Sequence, residues 1–272
     1  MDFVSRYVSH QPDAEGMVCY SAEENHVWER LFLRQKALLP GRACDEFLQG
    51  LGCLGLTADA IPQLPDVSRL LRAKTGWEVV PVPALISARR FFELLAHKQF
   101  PAATFIRFPD ELDYVTEPDI FHELFGHCPM LTNPVYADFV YNYACKVLQS
   151  PETDWPLFQR LFWFTVEFGL IQTPLGARAY GGGILSSISE TVYSVESHVP
   201  MRVLFDPVVA FRMPYRIDQL QPVYFVIDDY VTLYTFVKSD VAAILEKARE
   251  LGEYPPFFAV DEHNPNIHIH AC

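Results

Sequence analysis

No two of the six cysteines form a CxxC pair, and Cys19, Cys44, Cys53, Cys128, Cys145 and Cys272 are scattered along the chain. This argues against both a disulfide framework and a thiolate zinc site. Long apolar runs are missing too. The longest, such as "PALI" and "VYFVI", fall far short of the roughly 20 residues that span a bilayer, and the opening "MDFVSRYVSHQPDAEG" has no signal-peptide pattern. A cytoplasmic protein is therefore expected. Basic charge is scarce: 21 Lys and Arg against 34 Asp and Glu leave a net charge of −13, and no cluster of five basic residues offsets it. Phosphate backbones and anionic lipid are poor partners for such a surface, which leaves small molecules. Repeats and low-complexity segments are absent as well.

What remains is an ordinary globular composition. With 272 residues, half of them apolar, the chain can bury a sizeable core, and a single domain over 1–272 is expected. Pro and Gly cut it into short helical stretches, among them "ENHVWERLFLRQKALLPG", "SARRFFELLAHKQF", "EPDIFHELFG", "NPVYADFVYNYACKVL" and "WPLFQRLFWFTVEFGL". Between them "GWEVVPVP", "ATFIRF", "QPVYFVI" and the closing "FFAV…NIHIH" have the pattern of short strands. The expected fold is mainly α with short β-strands, in the α+β class.

The segment "PDIFHELFGHCP", residues 118–129, sets two histidines five apart in an apolar helical context. Thr116 is the expected N-cap of this helix. Zinc peptidases space their histidines four apart, which keeps both imidazoles on one face, whereas a spacing of five splays them by about 140° on an ideal helix. His122 and His127 can converge only if the helix widens to a π turn or ends between them, and Gly126 with Pro129 permits either. Two separately satisfied core histidines are the alternative.

A second anomaly is Glu167, the one acid within "RLFWFTVEFGLI". A carboxylate there must be paired, protonated or bound to a metal, and helical spacing would put Trp163, Glu167 and Leu170 on one stripe. Two histidines and one carboxylate leave coordination positions open, which suits a non-haem Fe(II) oxygenase. A catalytic zinc site has the same ligand types, so the donor set alone does not choose the metal.

Together these two stretches resemble the signatures PDI-x-HEL-x-GH and WFTVEFGL of the pterin-dependent aromatic amino acid hydroxylases. The likeness extends through "VPALISARRFFELLA", "ATFIRF", "AYGGGILSSISE" and "QPVYFV", roughly residues 75–262. It implies hydroxylation of L-phenylalanine to L-tyrosine, as in phenylalanine catabolism, with Fe(II), a tetrahydropterin and O2. It makes His122, His127 and Glu167 the iron ligands. Phe91 would stack on the pterin, Ala84 and Ile86 would contact it through backbone, and Glu123 would lie near both pterin and iron. Arg107 would clamp the amino acid carboxylate, Trp163 and Phe168 would wall the ring, and Gly183 would let backbone approach it. Ser186 would support a ligating histidine, with Glu190 as a further catalytic group. Trp163 resembles the phenylalanine and tyrosine enzymes rather than the tryptophan ones, and Ile217 matches a position that is apolar in the phenylalanine enzymes and aspartate in the tyrosine enzymes. The family's regulatory domain and tetramerising helix have no counterpart in the sequence, so a monomer or homodimer is expected. The terminal Ile267-His268-Ile269-His270 is expected to be strand rather than a metal site.

Overall fold

Ser21 starts the first helix, α1 (Ala22–Leu38), with a reciprocal cap: its hydroxyl accepts from Glu24 N–H while the Glu24 carboxylate accepts from Ser21 N–H. The computed structural model describes residues 5–256. Helices α2 (Asp45–Leu54) and α3 (Leu64–Thr75) follow, and both end on glycines with positive φ, Gly55 and Gly76. Strand β1 (Glu78–Val82), helix α4 (Ala88–Leu95) and β2 (Gln99–Ala103) form a crossover unit with parallel strands. Helix α5 (Pro134–Gln149) follows the segment that carries His122, and the shorter α6 (Trp155–Phe162) runs directly into the one that carries Glu167.

The second half builds a four-stranded sheet. Its members are β3 (Leu170–Thr173), β4 (Gly176–Ala179), β5 (Met201–Leu204) and β6 (Val223–Ile227), in the order β4-β3-β6-β5. The short α7 (Gly182–Leu185) and α8 (Ile188–Glu196) lie between β4 and β5, and α9 (Pro207–Arg212) between β5 and β6. Helices α10 (Tyr230–Lys238) and α11 (Val241–Leu251) close the described chain. One contiguous apolar core runs from Val27 in α1 to Ala248 in α11, with Trp28 and Trp77 wholly buried. The α+β expectation holds. Among the described residues no helix is long and apolar enough to cross a membrane.

Three local expectations fail for identifiable reasons. "ATFIRF" is not a strand: β2 stops at Ala103 because its partner β1 stops at Val82. Thr104 turns instead to the N-terminal segment, its N–H donating to Ser9 Oγ at 3.2 Å and its hydroxyl to the His10 carbonyl at 2.7 Å. Thr116 does not cap the following helix, which begins at Ile120; Asp119 does, accepting from His122 N–H at 3.0 Å. Leu170 shares no helical stripe with Glu167, because the helix ends there and Leu170 opens β3. The closing segment with His268 and His270 lies outside the described residues.

Candidate active site

The five-residue histidine spacing is accommodated by a π turn over His122–His127, closed by Cys128 N–H donating to the Glu123 carbonyl at 3.2 Å. Gly126 allows it to pack: a Cβ there would lie 2.7 Å from the Gly182 carbonyl oxygen. A second π turn, Trp163–Glu167, follows α6 directly, with Phe168 N–H donating to the Trp163 carbonyl at 2.9 Å. Thr165 helps to widen it, since its hydroxyl donates to the Leu161 carbonyl at 2.7 Å and competes with the regular helical ladder.

The two π turns face each other. His127 Nε2 lies 3.0 Å from His122 Nε2 and 3.2 Å from Glu167 Oε2, and His122 Nε2 lies 3.6 Å from that same oxygen. Donors bound at about 2.1 Å and at right angles to one ion lie about 3 Å apart, so this triangle has the dimensions of three ligands on one face of a metal. The tautomer of His122 agrees. Ser186 spends its single hydroxyl proton on the Gly182 carbonyl at 2.8 Å, so its oxygen accepts from His122 Nδ1–H at 2.9 Å and leaves Nε2 as a lone pair. Burial and the neighbouring His127 push the His122 pKa down to about 4, which keeps it a neutral donor.

Glu123 also approaches, its oxygen and the donor nitrogens of His122 and His127 all lying within 4.8 Å of one another. Electrostatics separates the two acids. Burial, reinforced by repulsion from Glu167 and Asp119, drives the Glu123 pKa well above the usual carboxylate value. At Glu167 burial pushes the same way but is outweighed by His127, His122 and a hydrogen bond from the Gly183 backbone, so its pKa falls. The two neighbouring carboxyl groups are thus shifted in opposite directions, Glu167 downward and Glu123 upward.

The glycine run 181–183 packs against the ligands piece by piece. A Cβ on Gly181 would meet the Glu167 carbonyl oxygen at 2.3 Å, one on Gly182 the His127 ring at 2.4 Å, and one on Gly183 the Phe168 ring at 2.9 Å. Gly182 is thus the floor beneath His127. Ser187, not Ser186, caps α8, accepting from Glu190 N–H.

Around the triangle, Trp163 stacks on Tyr215 at 4.5 Å and leans on Phe168 at 4.4 Å. Arg107 is buried, 5% exposed, and its Nε and Nη2 each reach Asp119 at 2.8 Å. Asp119 also receives the N–H groups of Arg107 and His122, both at 3.0 Å. Ala84 and Ile86 lie half-buried on the loop between β1 and α4, and Phe91 stands in the first turn of α4, edge-on to Phe162 at 5.3 Å. Both oxygens of Glu190 are engaged, by Gln221 N–H and by the Tyr224 hydroxyl.

Residues 5–258 match the family model described as biopterin-dependent aromatic amino acid hydroxylase. The chain belongs to that family. The phenylalanine-4-hydroxylase of Pseudomonas aeruginosa is 50% identical to this hydroxylase over 254 residues, which is 93% of this chain and 97% of that one. Among solved structures, phenylalanine hydroxylase from Legionella pneumophila superposes with a TM-score of 0.91 at 73% identity, covering 93% of this chain and all of that one. The Chromobacterium violaceum phenylalanine hydroxylase with bound oxidised Fe(III) gives a TM-score of 0.86 at 42% identity, with 93% and 94% covered. Three residues packed around the triangle were not singled out in the sequence: Asp119, Gly182 and Tyr215. The lone arginine of "TFIRF" was the available signal for the first, but Asp110, Glu111, Asp113 and Glu117 stand between it and Asp119, so the sequence alone does not pick its partner.

Proposed function

We propose that the protein hydroxylates L-phenylalanine to L-tyrosine, consuming O2 and a tetrahydropterin, with Fe(II) held by His122, His127 and Glu167. The observation that carries this reading is the triangle of three donors 3.0–3.6 Å apart, presented by two π turns in a chain of this family. The iron, when bound, supplies the oxygen-activating centre and the pterin two electrons.

The chain's own residues bind, orient and exclude water. Ser186 fixes the His122 tautomer, while the Gly183 backbone helps to keep Glu167 anionic. Glu123, whose pKa burial raises, lies beside the donor nitrogens and faces the pterin. Phe91, partly buried on α4, offers its ring to the pterin, and the half-buried loop through Ala84 and Ile86 offers backbone. Arg107 already spends one edge of its guanidinium on Asp119, so the substrate carboxylate takes the remaining Nη edge. Much of the positive charge is thereby neutralised, and geometry contributes more than charge to that contact. Trp163, Phe168 and Tyr215 form aromatic walls suited to a phenyl ring, with Gly183 behind Phe168. Glu190 has a positioning role. We place the protein in the cytoplasm, acting on small molecules as a monomer or homodimer.

The test is aerobic incubation of the purified chain with Fe(II), tetrahydropterin and phenylalanine. Tyrosine should form, and zinc in place of iron should give none. Failure to form tyrosine with iron, pterin and O2 all present overturns the reading.

A further inference from the structure

We propose that Gln221 is a positioning residue for the substrate's ring, holding the indole of Trp163 and the loop that carries Ile217 in one fixed arrangement. This rests on the reading above, in which Trp163 walls the phenylalanine ring.

Gln221 immediately precedes the segment that leads into β6 and is 1% exposed. Its side-chain Nε2 donates to the carbonyls of Arg216 at 2.7 Å and Gln219 at 3.0 Å. Both amide protons are thereby used, which fixes the orientation of the amide and leaves Oε1 as an acceptor pointing away from the loop. That oxygen receives Trp163 Nε1–H at 3.0 Å. The backbone N–H of Gln221 is anchored in turn on Glu190 Oε1 at 3.1 Å, and the other Glu190 oxygen accepts from the Tyr224 hydroxyl. A chain of hydrogen bonds therefore runs from Tyr224 on β6 through Glu190 and Gln221 to the indole.

Trp163 opens the π turn that ends at Glu167, so the indole and the anionic donor share one short, rigid element. Its ring also rests on Tyr215, six residues before Gln221 on the same loop, and touches Phe168. Stacking fixes the plane of an indole but leaves it free to slide, whereas a hydrogen bond at its one polar atom fixes the position within the plane. Gln221 is the group that makes that bond, and the acceptor cannot move without breaking two further bonds to the loop. A substrate ring resting on Trp163 is thus held in register with the donors four residues further on.

Loss of that register has a defined consequence. When the ring is correctly placed, the two electrons of the pterin and two electrons of the substrate reduce O2, one oxygen entering tyrosine and the other leaving as water. With the ring misplaced, the pterin's two electrons and two protons reduce O2 to hydrogen peroxide and no tyrosine forms.

The experiment uses the full, iron-loaded chain. Gln221→Met keeps length and removes every polar atom; it should raise the phenylalanine KM about tenfold and lower tyrosine formed per pterin oxidised. The pterin KM and iron content should stay unchanged. In a Trp163→Phe background, which has no indole N–H, the same substitution should add little to KM. An equal increment in both backgrounds, or none in either, overturns the proposal. Hydrogen exchange provides a measurement that needs neither the variant nor activity. The Trp163 indole N–H resonance, identified by its loss in Trp163→Phe, should exchange slowly, and fast exchange overturns the proposal. A wild type that forms no tyrosine while keeping a slow Trp163 N–H overturns the functional reading, and with it the substrate-positioning role given to Gln221; fast exchange in an active enzyme overturns this inference alone.

Discussion

Asp119 grips the Arg107 guanidinium with both carboxylate oxygens at 2.8 Å, and one of these oxygens also caps the helix of His122 at 3.0 Å. The group assigned to the substrate carboxylate and the first metal ligand therefore hang from one buried acid. Breaking a buried ion pair by removing one partner costs about 3–5 kcal/mol, because the other charge is left uncompensated. Asp119→Asn should lower Tm markedly and raise the phenylalanine KM, and Arg107→Lys should do both to a smaller extent. Calorimetry and steady-state kinetics check this. A loss of Tm with an unchanged phenylalanine KM would remove Arg107 from the substrate site.

Phe91→Ala should separate the two pockets. Its ring is half-buried against Phe162 and has no polar partner, so truncation should raise the pterin KM several-fold and leave the phenylalanine KM nearly unaltered. Equal effects on both would mean that the pterin does not lie on α4.

His122→Ala, His127→Ala and Glu167→Ala should each abolish iron retention and hydroxylation while preserving the helical circular dichroism. Gly182→Ala should approach the same result without touching a ligand, since the added methyl would meet the His127 ring at 2.4 Å. Ser186→Ala should weaken iron binding by roughly 10- to 100-fold, the usual cost of losing a group that orients a ligating histidine. Metal analysis after dialysis against a chelator ranks them.

Glu190 gives a pH signature. Burial raises its pKa from 4.5 to about 7, against the opposing bonds from Tyr224 and Gln221. Between those two values the folded state binds a proton that the unfolded chain releases, so this group's contribution to stability falls as pH rises through that window. Glu190→Gln does not titrate. The variant-minus-wild-type difference in Tm should therefore move in the variant's favour from about pH 5 to about pH 7 and then level off. A difference independent of pH would show that Glu190 ionises normally.

Phenylalanine should be strongly preferred to tyrosine. Ile217 lies half-exposed on the loop held by Gln221 and offers no partner to a ring hydroxyl, so a substrate that already carries one gains nothing there. Ile217→Asp should increase kcat/KM for tyrosine relative to phenylalanine. Equal use of both substrates by the wild type would remove Ile217 from the specificity loop. Asp218, the neighbouring acid, is held by Arg216 and is a poor substitute for that partner.

The sequence by itself singled out His122, His127 and Glu167 and limited the local forms they could take. Histidines five apart cannot share a face of an α-helix, so convergence required a widened turn or a helix end between them, and a carboxylate amid aromatic residues had to be paired, protonated or bound to a metal. Both are consequences of local geometry and desolvation, which act within a dozen residues and can be read from them. Only the tertiary structure decided the remainder. Where β2 ends depends on where β1 ends; whether Arg107 is free or paired depends on Asp119 folding back across it; each glycine of 181–183 answers to a different neighbour; and the acceptor for Trp163 comes from Gln221, 58 residues away. Such facts are set by which distant backbones can approach closely, and helical or strand periodicity carries no record of that distance.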